Sequence, residues 1–378
     1  MRQQVQPVAN AFRPGLPALD HFPMDVWRRI ADRRLRRASV RVLAYGDPLG
    51  YLPLREAISA HLSASRGVTC DASRVMIVNG AQGGIAACAD LLVDEGDTVW
   101  FEDPGYFAAR ACLDLSGAVL TPVPVDGSGL DVAAGIARAP RARLVYCTPS
   151  HQNPTGITMT LQRRMALLQW AQQAGAWIIE DDNASEYRYH GRPLAALQGI
   201  DPSHRVIYVG TFSKVLFSSL RIGYMVLPPD LVDVFSRSHD IETRGANSML
   251  QGILADFMGE GHFARHVRRM RTLYGTRMAA LERGVTELAP DVLELRPAEG
   301  GLNRLGMLPE GLDDTEVARE CSRLNVVVTP LTAYSASAPP RGGLVMGFGG
   351  VDEAEIRTGV ERIAGVVRAL QRRGPATP

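Results

Sequence analysis

Lys214 is the residue whose type and position most directly suggest chemistry, because it is the only lysine among the 378 residues of this chain. A lysine amine can lose its proton when it is desolvated and can then add to a carbonyl group as a Schiff base, whereas a guanidinium stays charged. Lys214 follows the apolar run 206–209, within the sequence Gly210-Thr211-Phe212-Ser213-Lys214. Taken alone, this residue is equally compatible with a surface lysine retained by chance.

Functional groups also follow the other apolar runs of the chain. The turn Asn79-Gly80-Ala81-Gln82 follows run 75–78 and leads into a predicted helix, whose first N–H groups and positive dipole end suit a phosphate. Glycine turns of this kind are common, so this one is weak evidence by itself. The other groups are an aromatic ring, a polar turn, an acidic cluster and a second cation: Tyr106, Thr148 to Gly156, Glu180-Asp181-Asp182 and Arg221.

Together these groups meet the requirements of pyridoxal 5′-phosphate (PLP). The lysine forms the Schiff base with the cofactor aldehyde. A carboxylate keeps the ring nitrogen protonated, so that the ring can accept electrons from a carbanion. Hydroxyl groups, backbone amides and an arginine hold the phosphate. The sequence therefore predicts a PLP site at the carboxyl ends of the strands, where ligands bind in α/β sheets.

The chain also resembles a known family, the fold-type-I, class I/II aminotransferases, and within it the aminotransferase-like domain of MocR-type regulators. The resemblance extends from Phe12-Arg13-Pro14-Gly15 to Gly347-Phe348-Gly349. It is carried by four motifs that are specific in combination: Tyr45-Gly46-Asp47-Pro48-Leu49-Gly50-Tyr51-Leu52-Pro53-Leu54-Arg55, Thr148-Pro149-Ser150-His151-Gln152, Glu180-Asp181-Asp182, and Gly210 to Lys214 continuing to Leu220-Arg221-Ile222-Gly223-Tyr224.

The resemblance implies a role for each matching residue. Lys214 is expected to form the Schiff base and to shuttle protons, and Asp181 to pair with the ring nitrogen. Asn153 would bond the ring hydroxyl and Tyr106 would stack on the ring. The phosphate would be held by Ala81, Gln82, Thr211, Ser213 and Arg221, joined by Tyr45 from a second subunit, which implies a homodimer.

Three departures from the family pattern affect the expected chemistry. The family usually has a tyrosine two residues after the ring-nitrogen aspartate, and Asn183 stands there. An arginine usually binds the substrate carboxylate from the strand near 344–348, where this chain has Val345, so the candidate substrate contacts are Arg13, Gly15 and Arg341. MocR-type regulators carry a DNA-binding domain before this one, and the chain is predicted to have no room for it.

The hydrophobic pattern predicts the elements that position these groups. Short apolar runs alternate with helical stretches up to about residue 289, which indicates an α/β domain with a mainly parallel sheet. A small α+β domain is expected from 290 to 378, and an N-terminal arm and helix, residues 1–45, should pack with it. The expected strands are 75–78, 98–101, 144–147, 177–179, 206–209, 224–227, 293–296, 301–308, 326–328 and 343–348; the long helical region 249–289 should break at Glu260-Gly261.

The composition is that of an ordinary globular protein. A hydrophobic fraction of 46%, a charged fraction of 21% and a formal charge of +1 predict no general attraction to nucleic acid or membrane. The arginines of helix 24–38 are interpreted as a solvated face. Five scattered cysteines predict buried thiols in a reducing compartment, hence a cytoplasmic protein without a cysteine metal site.

The leading functional prediction is a PLP-dependent enzyme that acts on an amino acid or an amine, most simply an aminotransferase. A lyase, decarboxylase or oxidase of specialised metabolism on the same fold is one alternative. A PLP-binding module that senses an effector for a regulator is another.

Overall fold

The computed structural model describes residues 11–37, 44–189, 191, 194–243 and 247–373. Within them lies a central eight-stranded sheet with strand order β1-β8-β7-β6-β5-β2-β3-β4. All neighbouring pairs from β7 through β6, β5 and β2 to β3 are parallel, whereas β8 and β4 run antiparallel to their neighbours. The strands are β1 Val75–Val78, β2 Thr98–Asp103, β3 Val119–Asp126, β4 Gly129–Leu130, β5 Leu144–Cys147, β6 Trp177–Asp182, β7 Val206–Thr211 and β8 Gly223–Val226.

The central strands are buried on both faces, as their nearly continuous apolar sequences predict. Alternate residues of each strand pack into different clusters: Phe101 and Ile179 lie in one, and Trp100 and Ile178 in another. Helices cover both faces. The described helices are α1 Met24–Arg36, α2 Leu52–Arg66, α3 Gly80–Leu92, α4 Phe107–Leu115, α5 Val132–Arg138, α6 Leu161–Ala174, α7 Val232–Thr243, α8 Ser248–Gly259, α9 His262–Leu288, α10 Asp314–Arg323 and α11 Glu353–Arg373.

A second, smaller sheet forms in the C-terminal part of the chain. Its described strands are antiparallel in the order β11-β12-β10-β9, with β9 Glu294–Leu295, β10 Asn303–Met307, β11 Thr329–Pro330 and β12 Gly343–Gly347. The predicted α/β fold with a mainly parallel sheet is confirmed. The predicted break at Glu260-Gly261 separates α8 from α9, where Gly261 has a positive φ of 76°.

The N-terminal arm connects the two parts of the molecule. Ala11 forms a bridge with Val326, and the N–H of Gly347 donates to the carbonyl of Phe12. Helix α1 instead packs on α8, where Arg34 forms an ion pair with Asp256. The arm thus lies against the C-terminal part and α1 against the larger part, while the domain division at 45/46 and 289/290 stays a prediction.

Some elements differ from the sequence-based expectation. Strand β3 is not among the predicted strands because Pro122 and Pro124 interrupt its pattern, and proline lacks the N–H group that a central strand needs. The two prolines are two residues apart, so both lack an N–H group on the same edge of β3. The short strand β4 pairs only with the end of β3, at Val125 and Asp126. The predicted strand 326–328 is displaced, because Val326 and Val327 pair with Ala11 of the arm and regular sheet pairing begins at Thr329.

Across the part of the chain that the structure describes, none of the helices combines the length and the apolar character needed to cross a membrane.

Candidate active site

Lys214 lies just beyond the end of β7, where the chain leaves the sheet. Its Nζ donates a hydrogen bond to the carbonyl oxygen of Gly15 at 3.1 Å. Gly15 has a positive φ of 70°, and a Cβ atom at this position would lie 2.2 Å from Nζ. The arm residue must therefore be a glycine for the lysine amine to keep this position.

Asp181 lies at the end of the neighbouring strand β6, close enough for its charge to act on Lys214. One carboxylate oxygen, Oδ2, accepts a hydrogen bond from the hydroxyl of Tyr146 at 2.6 Å. The other oxygen, Oδ1, is buried and has no hydrogen-bond partner among the described residues. Burial raises the pKa of Asp181 to about 6, against the opposing effects of Tyr146 and Lys214. A buried carboxylate oxygen without a donor is costly, so this atom is available for a ligand N–H.

Lys214 and Asp181 each affect the pKa of the other. Burial lowers the pKa of the Lys214 amine below its ordinary value, and the negative charge of Asp181 partly opposes that shift. A lower pKa increases the fraction of unprotonated amine, which is the nucleophilic form. The site therefore holds a reactive amine next to a carboxylate that can still accept one more hydrogen bond.

The N-terminus of α3 and Arg221 lie together at a second end of the site, where both could donate hydrogen bonds to an anion. The Arg221 guanidinium is exposed, and its Nε and Nη2 donate to Oδ1 and the backbone oxygen of Asn79, both at 3.3 Å. Gly80, the first residue of α3, has a φ of 70°. A Cβ at Gly223 would lie 2.5 Å from the carbonyl carbon of Gly80, so the two glycines allow β8 to approach this turn closely.

The other residues predicted to bind phosphate lie around the same turn. Thr211 ends β7, and its hydroxyl accepts from the N–H of Ser213 at 3.1 Å. Ala81 and Gln82 belong to the first turn of α3, whose N–H groups point out of the helix. The Gln82 side chain donates to the carbonyl of Ala108 at 3.0 Å. A phosphate contact from Gln82 would therefore use its backbone N–H.

The predicted ring contacts, Tyr106 and Asn153, lie beside a buried network that local sequence patterns do not indicate. Glu102 accepts from the Thr148 hydroxyl at 2.6 Å and from the Gln152 amide at 3.1 Å. The Thr148 hydroxyl in turn accepts from the N–H of Asn153 at 3.1 Å. Burial raises the pKa of Glu102 to about 7. This carboxylate thus holds in place the turn that presents Asn153.

Tyr106 precedes α4 and is electrostatically connected to both ends of the site. Burial raises the pKa of its hydroxyl, Asp181 raises it further, and Arg221 lowers it. Asn183 lies half-buried just after β6, and its side chain makes no hydrogen bond to the described residues. Tyr45 is 79% exposed, so in this chain it points to the surface.

The three candidate substrate contacts do not come together. Gly15 is in the site, in contact with Lys214. Arg13 is exposed. Arg341 is engaged elsewhere, because its guanidinium forms an ion pair with Glu294 at 2.6 Å and also bonds the carbonyl of Leu308. The expectation for Arg341 therefore finds no support in the geometry.

Four further residues belong to the site by contact: Tyr146, Asn79, Glu102 and Asn303, whose Oδ1 accepts from the N–H of Gly15 at 2.8 Å. Strand alternation could have indicated Tyr146, since it lies in β5 next to β6. Asn303 is distant in sequence from its partner, so no local pattern could have identified it.

The residues present fit PLP by three independent observations. The free Oδ1 of Asp181 suits a protonated ring nitrogen, which would supply the missing donor. The amine of Lys214 has the lowered pKa that Schiff-base formation requires. The α3 N-terminus and the exposed Arg221 offer donors to a phosphate at the same edge of the sheet. Fold and site together define a PLP-dependent transferase of fold type I.

The chain belongs to the family aminotransferase class I and II, whose sequence profile matches residues 15–363. It is 38% identical over 373 residues to the probable rhizopine catabolism regulatory protein MocR of Rhizobium meliloti, covering 99% of this chain and 75% of that protein. The predicted family is thus confirmed, including its MocR-like character.

Two solved structures share the fold along nearly the whole chain. The α-aminoadipate aminotransferase LysN of Thermus thermophilus, complexed with N-(5′-phosphopyridoxyl)-L-leucine, is 27% identical with a TM-score of 0.89, covering 97% of this chain and 94% of that one. The kynurenine aminotransferase of Pyrococcus horikoshii, in complex with PMP, is 27% identical with a TM-score of 0.88, covering 96% and 92%. The cofactor of this chain is accordingly PLP.

Proposed function

We propose that this protein is a PLP-dependent aminotransferase in which Lys214 binds the cofactor covalently and Asp181 pairs with its ring nitrogen. The observation that carries the proposal is the buried Oδ1 of Asp181, which lacks a donor at the same sheet edge that presents the only lysine of the chain. The family membership and the folds of two aminotransferases support the reaction type.

When bound, PLP supplies an electron sink that stabilises a carbanion at the carbon bearing the amino group. Lys214 is placed to take the proton from that carbon and to return it, since burial lowers the pKa of its amine and so increases the unprotonated fraction that can act as a general base. Asp181, braced by Tyr146, holds a proton on the ring nitrogen. Arg221 and the first turn of α3 anchor the phosphate, and Tyr106 limits the access of water to one face.

The cofactor assignment is tested by reduction with borohydride followed by peptide mass mapping. The cofactor should be found on the peptide that contains Lys214, and Lys214→Ala should lose the reducible attachment and the transamination half-reaction. Lys214→Arg is the matched control, because it keeps the positive charge without a nucleophilic amine. Reducible attachment in Lys214→Ala would remove the assignment, since the chain has no other lysine.

We further propose that the working form is a two-fold dimer in which Tyr45 contributes to the partner's phosphate site. The exposure of this tyrosine supports the idea, because a ring 79% exposed in one chain is available to another. Mixing the inactive variants Tyr45→Ala and Lys214→Ala should restore part of the activity if the sites are composite. A monomer by sedimentation with full activity would contradict the dimer.

A second candidate function is a PLP-binding sensor, favoured by the 38% identity to a protein named as a regulator. A sensor would bind an amine or amino acid with a spectral change but would not complete turnover with a 2-oxo acid acceptor. The same half-reaction and turnover assays separate the two functions.

All five cysteines are free thiols, which supports the proposed cytoplasmic location.

A further inference from the structure

A cleft lies between the C-terminal end of α1 and the beginning of α8. Its volume is about 390 Å³, within the range of about 300–1,000 Å³ that is typical of small-molecule sites. The residues that give it its character are three arginines, an acid, an aromatic ring and a thioether: Arg33, Arg34, Arg37, Asp256, Tyr51 and Met249. None of them is a residue of the PLP site.

Arg34 forms a fixed wall of this cleft. Its Nε and Nη2 donate to the two carboxylate oxygens of Asp256 at 2.7 and 2.5 Å. Its Nη1 donates to the hydroxyl of Tyr51 at 3.0 Å, and its charge lies 5.5 Å from the centre of the Tyr51 ring. A Cβ at Gly252 would lie 3.0 Å from Nη1, so an alanine there would crowd the guanidinium. The shape of this wall is therefore set before any ligand binds.

The ion pairs of the cleft leave one cation in excess. Arg34 is paired with Asp256, and Arg33 is paired with Glu260 and Asp256. Arg37, at the C-cap of α1, is exposed and forms neither an ion pair nor a side-chain hydrogen bond with any described residue. Three arginines thus face two carboxylates, so the cleft can accommodate one further negative charge.

Tyr51 adds a neutral donor to the same cleft. Its hydroxyl accepts from Arg34, while its own O–H donates to no residue in the part of the chain that the structure describes. A carboxylate can accept from a guanidinium and from a hydroxyl at once, because it offers two oxygens with about four lone-pair sites. Met249 and the Tyr51 ring supply apolar surface beside these donors.

We propose that this cleft binds a small organic carboxylate with a compact apolar body. The one excess positive charge, on Arg37, matches a single carboxylate better than a dianionic phosphate ester, and a guanidinium binds a carboxylate in a bidentate manner. The Tyr51 hydroxyl supplies a further hydrogen bond, and Met249 contacts the apolar body. This site is separate from the proposed transamination, because it shares no residue with the PLP site.

Calorimetric titration of the PLP-loaded protein tests the site with benzoate and hexanoate, each compared with its neutral amide. The carboxylates should bind at least about tenfold more tightly than benzamide and hexanamide, because only they gain a charge-assisted hydrogen bond. The cofactor absorption spectrum, recorded in parallel, reports separately on binding at the PLP site. Equal binding of carboxylate and amide, or no binding of either, would overturn the proposal.

Arg37→Ala should weaken the binding of benzoate by about 10- to 100-fold, the effect of losing a hydrogen-bonded charged partner. Arg36→Ala is the matched control, because it removes the same charge from the neighbouring exposed position but Arg36 does not line the cleft. Its effect should stay below about threefold, since salt screens a charge that makes no contact. Tyr51→Phe keeps the ring and should weaken binding by about three- to tenfold.

The variants separate a carboxylate site from a general effect of charge. Arg37 is exposed and unpaired among the described residues, so Arg37→Ala should fold, and its thermal midpoint checks this. Equal weakening in Arg37→Ala and Arg36→Ala would overturn the proposal, and so would unchanged binding in Arg37→Ala. Tighter binding of phenyl phosphate than of benzoate through Arg37 would overturn the carboxylate as the ligand class. Each of these failures would leave the transamination proposal standing, because that proposal is tested at Lys214.

Discussion

Asp181 and Asp182 are adjacent at the end of β6, yet their surroundings are opposite. Asp182 faces Arg66, whose Nε lies 3.0 Å away, and its Oδ2 also accepts from the hydroxyls of Tyr208 and Ser185 at 2.6 and 2.7 Å. Asp181 lies on the other face of the strand, where its charge acts on Lys214, and it keeps one oxygen without a donor among the described residues. The alternation of side chains along a strand places these two carboxylates in different environments.

The hydrogen-bond partners of the two side chains distinguish a structural carboxylate from a functional one. Burial alone would raise the pKa of Asp182, but Arg66, Tyr208 and Ser185 together hold it below its ordinary value. For Asp181 burial dominates and the pKa rises to about 6. A carboxylate whose oxygens all accept hydrogen bonds stabilises the protein without a ligand. A carboxylate with one oxygen lacking a donor can accept a hydrogen bond from a ligand.

The largest effect is expected for Asp182→Ala, which leaves Arg66 buried without a counter-charge. Removing one member of a buried ion pair costs about 3–5 kcal/mol of unfolding free energy. Denaturant unfolding of the apoprotein measures this loss. Asp291→Ala is the matched control, because it breaks an exposed pair with Arg368 and should change stability little.

Removing Arg66 as well should recover part of that stability, because neither charge is then left unpaired. Arg66→Met combined with Asp182→Leu is the double variant for this purpose. If Asp182→Ala is no more destabilising than the surface control Asp291→Ala, Asp182 does not have the structural role that separates it from Asp181.

Asp181→Asn should have a smaller effect, with a different pH dependence. The raised pKa of Asp181 contributes stability that is present below about pH 4 and lost as the pH rises through about 6. Asparagine does not titrate, so the wild-type apoprotein should lose about 2–3 kcal/mol relative to the variant between these limits. Unfolding of both apoproteins from about pH 4.5 to about pH 7.5 measures the difference.

Binding of PLP should remove the greater stability of Asp181→Asn, because a ring N–H would supply the hydrogen-bond donor that Oδ1 of the wild-type Asp181 lacks. In the holoprotein, the wild type should be the more stable form at about pH 7.5, and Asp181→Asn should turn over about a hundredfold more slowly. An unchanged difference between the two proteins with and without PLP would mean that Asp181 does not face the cofactor.

The sequence was sufficient to predict the strands that carry Asp181 and Asp182 and that precede Lys214. The apolar runs before Lys214 and before Glu180-Asp181-Asp182 correctly placed both groups at the carboxyl ends of parallel strands. Because side chains alternate along β6, Asp181 and Asp182 are also expected to point to opposite faces of the sheet. The sequence could not tell which face carries Arg66, because that residue ends a helix 116 positions away in the chain.

Contacts of this long range account for the remaining gaps. Gly15 meets Lys214 across 199 positions, and Asn303 meets Gly15 across 288. Arg341 was a candidate because of its nearness in sequence to 344–348, and the sequence could not show that its guanidinium forms an ion pair with Glu294. Periodicity predicts the burial of a residue but does not identify its partner, and the partner decides whether a charged group is free to bind.

The third prediction concerns the Lys214 side of the pair. Gly15→Ala should destabilise the protein by about 1–2 kcal/mol through its left-handed backbone and should also displace the lysine amine, which reduces PLP retention. Gly175→Ala is the matched control, because its φ is 68° and its Cβ would meet no atom within 4 Å. Equal PLP retention in both variants would mean that the arm does not position Lys214.

The smallest effect is expected for Asn183→Tyr, next to the saturated Asp182. A phenol bonded to the ring hydroxyl would favour its ionised form, whereas the present asparagine side chain offers only neutral donors. The pH at which the cofactor absorption changes should therefore fall by less than about one unit in the variant. A spectral titration on both proteins measures this shift, alongside a product profile.

The two interpretations of Asn183 predict different product profiles. If Asn183 is only a second neutral donor, the wild type and Asn183→Tyr should give the same transamination products. If its short side chain leaves space beside the ring for water, oxygen or a bulky substituent, the wild type should give elimination, decarboxylation or oxidation products that tyrosine suppresses. Because the Asn183 side chain makes no hydrogen bond to the described residues, the substitution removes no existing side-chain contact of that kind. A change in products would therefore report on space at the ring, while unchanged spectra and products would strengthen the plain aminotransferase assignment.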